Sequence, residues 1–222
     1  MNADPRSAQQ LVLWSYFRSS TSHRVRIALN LKHIPFKYEA VSLPKLEHKQ
    51  DAFLALNPQG LVPVLNVDGS PLRQSPAILE WLEETYPLPP LLPQAPGDRA
   101  RIRAMAALIA SDVHPLNNLR VLNYLRSNFA TDEDSVIAWC RHWIGCGFDA
   151  LETLLAGDTM RRGFCFGAAP TLADCYLVPQ VFSARRFGLD LAPYPIIRQI
   201  ESTCSALQAF IDAQPNRQPD AA

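Results

Sequence analysis

Cysteine is scarce and late in this chain: there are five, an odd number, none before Cys140 and none in a Cys-x-x-Cys pair. That excludes a zinc ribbon and a disulfide framework, and predicts reduced cysteines used for packing. The five histidines are scattered, so no metal centre is expected. Neither sign of charge is in excess, with Lys+Arg and Asp+Glu at 21 each. A nucleic-acid partner is therefore not expected. No apolar run approaches the ~20 residues that cross a bilayer. The stretch Met1 to Gln10 is polar and lacks the apolar segment of a signal peptide. Together these absences predict a cytoplasmic protein with no membrane partner. What is present is ample for a core, since 48% of the 222 residues are hydrophobic and 19% charged.

The periodicity changes midway. Residues 11–15 read as a buried strand, 22–33 as a helix with Val25, Ile27, Ala28 and Leu31 on its apolar positions, and Phe36 to Leu43 as a second strand. Residues 45–56 suit a short helix or turn, and Asn57-Pro58-Gln59-Gly60 is a turn. The run 61–67 is a strand interrupted by Pro63, a residue that inside a strand needs an edge or a special geometry, often cis. Asp68-Gly69 signals a hairpin returning through Pro71 to Gln74. Ser75-Pro76 then looks like an N-cap with proline at the first helical position, opening a helix to Thr85. Five prolines between 87 and 96, with Gly97, form a linker. Beyond it the patterns are helical, over 98–128 (kinked at Pro115), 134–156, 171–186 and 195–212. Thr171 and Asp174 have capping-box spacing. The tail Pro215 to Ala222 reads as disordered.

One turn carries more hydroxyls than a helix cap needs. Phe17-Arg18-Ser19-Ser20-Thr21-Ser22-His23-Arg24 leads from the first strand into the first helix. Donors at the positive end of a helix, flanked by two arginines, suit an anion such as a thiolate or carboxylate. A plain cap would need one serine or threonine, and Ser20 or Ser22 fits that lesser role.

Together these features resemble a cytosolic glutathione transferase over about residues 11–215. The implied fold is an α/β thioredoxin-like N-terminal domain, 10–91, which binds glutathione, plus an all-α C-terminal helical domain, 98–215, for the substrate. The stretch Tyr16 to Leu29 resembles the zeta class, the maleylacetoacetate and maleylpyruvate isomerases. Ala55-Leu56-Asn57-Pro58, Val62-Pro63, Gln74-Ser75, Asn117-Asn118-Leu119, Gly147-Phe148-Asp149-Ala150-Leu151, Leu177-Val178-Pro179-Gln180-Val181, Arg186-Phe187 and Pro193-Tyr194-Pro195 add to the likeness. Many members have cysteine where this chain has Thr21. That departure, with 112–118 and 183–187, is more similar to the bacterial maleylpyruvate isomerases of gentisate breakdown.

The resemblance implies roles. Ser19 would hydrogen-bond the glutathione sulfur, with Ser20 and Thr21 as secondary donors. Val62, before a cis Pro63, would meet the cysteinyl backbone of glutathione, and Gln74 and Ser75 its γ-glutamyl end. His48, His114 and Asn118 correspond to glutathione contacts. For His48 a solvated loop is the alternative, for Ser75 a plain N-cap, and for His114 and Asn118 an ordinary polar surface. Arg18, Arg120 and Arg186 would hold a dicarboxylate substrate and the charge that develops when the thiolate adds to its double bond. Arg186 is preferred to Arg185 because it directly precedes Phe187. Arg18, Ser19 and Arg186 are the expected catalytic residues, and the implied assembly is a homodimer. A transferase conjugating small electrophiles and a non-enzymatic adaptor are the competing readings. The arginines speak against the first, and the retained thiolate site against the second.

Overall fold

The computed structural model describes residues 9–221. Of the polar stretch Met1 to Gln10 only its last two residues are included, and the rest lies outside the described residues, as does Ala222. The chain divides into two compact units. One comprises the described residues up to Pro89 together with those from Gln208 onward; the other is Pro90–Leu207.

The first unit is built on β1 (Leu11–Ser15), α1 (Ser20–Leu31), β2 (Lys37–Ala40), α2 (Asp51–Leu56), β3 (Val64–Val67), β4 (Ser70–Arg73) and α3 (Ser75–Thr85). The strands form one sheet in the order β2-β1-β3-β4. β1 and β2 are parallel, joined through α1, and Leu13 faces Tyr38 on one side and Leu65 on the other. β3 runs antiparallel to β1 and to β4. The strand expected over 61–67 begins only at Val64. Pro63 has no N–H for the ladder, and the Val62–Pro63 peptide is cis.

Helix α1 is buried from Ser22 to Leu29, two arginines included. Burial of a guanidinium requires partners, and Arg26 has them in Ser15 Oγ and the carbonyls of Tyr16, Phe17 and Ala213. At the other end of α1 the Lys32 ammonium lies 2.7 Å from Glu83 Oε2 and donates to the carbonyls of Tyr86 and Pro89 at 2.6 and 3.0 Å.

The second unit contains α4 (Pro96–Ala107), α5 (Leu119–Phe129), α6 (Glu133–Gly157), α7 (Leu172–Arg186) and α8 (Pro195–Ser205). Two expectations change here. The helix read over 98–128 is not one kinked helix. A π-helical segment, Leu108–Val113, and a 3-10 turn, His114–Asn117, separate α4 from α5. The helix read over 195–212 is interrupted after Ser205 and resumes as α9 (Gln208–Ala213), which belongs to the first unit. Residues 208–215 therefore do not group with the helical part as the span 98–215 had them. α9 packs on α1, with Asn30 Nδ2 donating to Ala209 O at 3.0 Å.

Of the tail, residues 215–221 are also ordered rather than disordered. They make a 3-10 turn at Pro215–Arg217, and the Asp220 carboxylate accepts from Phe17 N at 3.0 Å and Tyr38 Oη at 2.7 Å. Cys140, Cys165, Cys175 and Cys204 are buried thiols in no disulfide, whereas Cys146 is exposed. No helix among the described residues is long and apolar enough to cross a membrane.

The capping box forms. The buried Asp174 carboxylate accepts from Thr171 N, Thr171 Oγ1 and Cys165 N at 2.7, 2.8 and 2.8 Å. Burial pushes its carboxyl up, and those donors oppose the shift. Asp174→Ala would strand two buried N–H groups at roughly 1–3 kcal/mol each. A loss of about 2–6 kcal/mol in urea denaturation is expected, with a smaller loss for Asp174→Asn, which keeps one oxygen acceptor.

Candidate active site

The hydroxyl-rich turn has a definite polarity. Ser19 is the N-cap of α1, and its Oγ accepts from Ser22 N at 3.2 Å. The cap is thus the residue singled out for the sulfur, not Ser20 or Ser22. Thr21 Oγ1 donates to Val62 O at 3.0 Å and lies 2.9 Å from Ser19 Oγ. With the single Thr21 proton on Val62 O, Ser19 must be the donor to Thr21. A chain of donors therefore runs from Ser22 N through Ser19 and Thr21 to the carbonyl before Pro63. Ser20 is buried in the first turn.

Arg18 is exposed beside this entrance. Its Nη2 donates to Tyr16 Oη at 3.1 Å, and its guanidinium carbon lies 5.2 Å from the Phe17 ring centroid and 5.9 Å from that of Tyr16. Two aromatic rings thus support the cation, which stays exposed.

The turn leading to Val62 is closed by Asn57, whose Nδ2 donates to Leu61 O at 2.7 Å. Gly60 has φ +59°, and a Cβ there would come 2.8 Å from His48 O, so glycine is required on both counts. His48 lies on a 3-10 turn, Glu47–Lys49, and is buried, which overturns the solvated-loop alternative. Burial, and then Lys49, lower its pKa.

At the start of α3 the expectation for Ser75 changes. The N-cap is Gln74, with φ 68° and no side-chain cap bond, and Ser75 is the first helical residue. Buried Ser75 Oγ accepts instead from Arg24 Nη1 at 3.3 Å. Exposed Gln74 donates from Nε2 to Gln59 Oε1 at 2.6 Å. The first unit therefore brings Ser19, Thr21, Val62 and Pro63 together in one hydrogen-bonded group, and joins Gln74 and Ser75 in sequence at a second helix entrance. Sequence reasoning had passed over Arg24 as a partner of Ser75 and Gln59 as a partner of Gln74. From the sequence, Arg24 is legible only as one of the two charges flanking the hydroxyl-rich turn.

In the helical unit, His114 and Asn118 do not share a helix face through their spacing of four. His114 opens the 3-10 turn, while Asn118 has extended backbone and caps α5, its Oδ1 accepting from Arg120 N at 3.1 Å. Arg120 is exposed in the first turn of α5. At the end of α7, Arg185 is paired with Glu201 through Nε at 3.2 Å and Nη2 at 2.5 Å, on the side facing α8. Arg186 points elsewhere, its guanidinium carbon 4.6 Å from the Phe187 ring centroid.

A four-stranded thioredoxin-like sheet whose helix entrances present hydroxyls, in a chain whose second unit is all helical, defines the glutathione transferase fold. Residues 18–85 match the glutathione S-transferase N-terminal domain and residues 147–213 its C-terminal domain. The chain belongs to the glutathione S-transferase family. Within it the likeness is to the zeta-class isomerases. The maleylpyruvate isomerase of a Ralstonia species is 58% identical over 95% of this chain and 99% of its own. The maleylacetoacetate isomerase of Pseudomonas aeruginosa is 51% identical over 94% and 97%. A holo structure of maleyl pyruvate isomerase, described as a bacterial zeta-class glutathione S-transferase, superposes with a TM-score of 0.94 at 57% identity, covering 95% of this chain and 100% of that one. Maleylacetoacetate isomerase from Anaeromyxobacter dehalogenans, with glutathione bound in its active site, superposes at 0.87 and 48% identity over 96% and 99%.

Two measurements follow. Because Ser19 caps α1, Ser19→Ala should cost about 1 kcal/mol in urea denaturation, whereas Ser19→Gly should cost only a few tenths. Buried His23 has its pKa held well below the usual value, by burial first and Arg26 second. Its folded form binds fewer protons than the unfolded chain below about pH 6.5. That contribution is complete above this pH and is lost as pH falls toward the lowered value. His23→Gln should therefore flatten the acid limb of the stability profile measured by urea titration at several pH values.

Proposed function

We infer that this chain is a glutathione-dependent cis–trans isomerase that converts maleylpyruvate to fumarylpyruvate. The observation that carries the reading is the chain Ser22–Ser19–Thr21–Val62 at the entrance of α1. It places a hydroxyl that can turn its proton outward at the positive end of a helix. This donor set fits a thiolate, and buried Ser75 at the first turn of α3 fits the γ-glutamyl carboxylate. Bound glutathione supplies a thiolate that adds reversibly to the substrate double bond, so that rotation occurs while the bond is single.

The protein's own residues do the rest. Ser19 holds the sulfur in its anionic form by donating to it, with Ser20 as a supporting donor, while Thr21, its own proton on Val62 O, orients Ser19. Val62, Pro63, Gln74, Ser75 and His48 orient the tripeptide. The helical unit's share, His114 and Asn118 on glutathione and Arg120 and Arg186 on the substrate carboxylates, rests on the family resemblance. Arg18, Arg120 and Arg186 offer forked donors to planar carboxylates and to charge developing on the ketone oxygen. The same resemblance supports a cytoplasmic homodimer acting in gentisate breakdown.

The second reading is isomerisation of maleylacetoacetate, favoured by relatives such as the 51%-identical Pseudomonas enzyme. Thr21, where many zeta enzymes carry cysteine, supports maleylpyruvate instead. Conjugation of small electrophiles would call for an apolar acceptor site, and the three arginines argue against it.

Purified protein with glutathione should convert maleylpyruvate, followed by ultraviolet absorbance, faster than maleylacetoacetate. A reversed ratio assigns the second reading, and no turnover of either removes both. Ser19→Ala and Ser19→Gly should each lower kcat by roughly 10²-fold or more while leaving glutathione affinity much less changed. Equal losses in both would reassign Ser19 to binding.

A further inference from the structure

Among the stretches that mark the family, Gly147-Phe148-Asp149 has no part in the chemistry above. Phe148 packs edge-on against the Tyr194 ring at 5.5 Å, and Asp149 Oδ1 accepts from Tyr194 Oη at 2.9 Å, so both are accounted for by Tyr194, the N-cap of α8. Gly147 is not. It is buried in the interior of a 25-residue helix, where glycine costs about 1 kcal/mol relative to alanine. A Cβ built on it would come 2.2 Å from Val113 Cγ2 and 3.5 Å from Leu108 Cδ2. Those two residues are the last and first of the π-helical segment. Gly147 is thus a notch in α6 that receives the segment ending directly before His114. Val113 is fully packed at 1% exposure and β-branched, so it cannot swing clear cheaply.

The segment beyond the notch is held again. Val113 O accepts from Asn117 Nδ2 at 2.8 Å, and Leu116 O accepts from Trp139 Nε1, also on α6, at 2.8 Å. His114 N donates five residues back to Ile109 O, the bond that defines the π turn. Gly147 and Trp139 lie eight positions apart on α6, about 12 Å along its axis. Between them they fix where 113–118 sits on that helix, and hence where His114 and Asn118 stand.

We propose that Gly147 and Trp139 are positioning residues that set His114 and Asn118 for glutathione, with Val113 as the wedge seated in the Gly147 notch. The proposal rests on the reading of His114 and Asn118 as glutathione contacts. Gly147→Ala should raise the glutathione KM by about fivefold or more with kcat at saturating glutathione little changed, and should shift the His114 imidazole NMR resonances. Gly147→Ala combined with Val113→Ala, which removes the colliding methyls, should bring the KM back to within about twofold and restore the resonances. Trp139→Phe, lacking the indole donor, should move KM in the same direction as Gly147→Ala.

Unchanged KM and unchanged resonances in Gly147→Ala would overturn the proposal, as would a double variant that folds but does not recover. Should Gly147→Ala fail to fold, the double variant must fold and bind glutathione, and its failure counts against the wedge. His114→Ala and Asn118→Ala separate the two levels. If neither alters the glutathione KM, the assignment of those contacts fails, while the resonance shift and its rescue still decide the notch.

Discussion

The buried guanidinium of Arg26 is the constraint on which the first unit's site depends. It spends its donors on Ser15 Oγ, on the carbonyls of Tyr16 and Phe17, and on Ala213 O. One group thereby fixes the exit of β1, the loop bearing Arg18 and Ser19, and the end of α9. Burial pushes its pKa down to about 10, against the opposing pull of Tyr38 and Asp220, and it stays a cation at neutral pH. Asp220 completes the arrangement from the opposite side, taking Phe17 N and the Tyr38 hydroxyl. The loop backbone is thus gripped at a carbonyl and an amide of the same residue. A charge so far from water is tolerated only because these acceptors satisfy its N–H groups. The hydrogen bonds have to be made together, which ties the loop geometry to the return of the chain terminus.

That arrangement explains which parts were legible in the sequence. Strand β1 and helix α1 announce themselves by apolar spacing, and Thr171 with Asp174 forms the capping box its spacing suggests. The Val62–Pro63 element was legible because proline in a strand admits few solutions. Asp220 was not, since its partner Phe17 lies 203 residues away and nothing local marks a short polar tail as anchored. Likewise the π segment escapes a search for helical period, because at six residues it is under two turns long, too short for its wider period to show. Pro115 signals a break but not its form. Ser75 was read as a cap because serine before proline so often is one; the competing demand came from Arg24, a partner 51 residues away.

Ser19 carries two duties that act through different atoms and lone pairs. As a cap it accepts from Ser22 N, and as a donor it gives its proton to Thr21. On the proposed reading, an incoming thiolate would compete only for the second. The scaffold bond can therefore persist while the chemistry bond changes partner. This separation suits a residue at a helix entrance, where disrupting the cap would loosen the donors that the anion also uses.

The energies show why neither the helix nor the hydroxyl suffices alone. Bringing a thiol from pKa ~8.5 to about 7 requires roughly 2 kcal/mol of preference for the anion. A helix N-terminus contributes typically 0.3–1 kcal/mol, and a hydrogen bond to a charged group roughly 1.5–3 kcal/mol, less the ~1 kcal/mol neutral bond to Thr21 that Ser19 gives up. The sum, roughly 0.8–3 kcal/mol, brackets the requirement only when both contributions are present. Thr21 sets the size of the deduction. By anchoring its own proton on Val62 O it presents a lone pair to Ser19, and so defines the resting partner that a thiolate bound as proposed would have to displace. A cysteine at this position would be a poorer acceptor for Ser19 and would bring a second thiol beside the sulfur. With threonine the turn holds its hydroxyl in a known direction and contains no competing nucleophile.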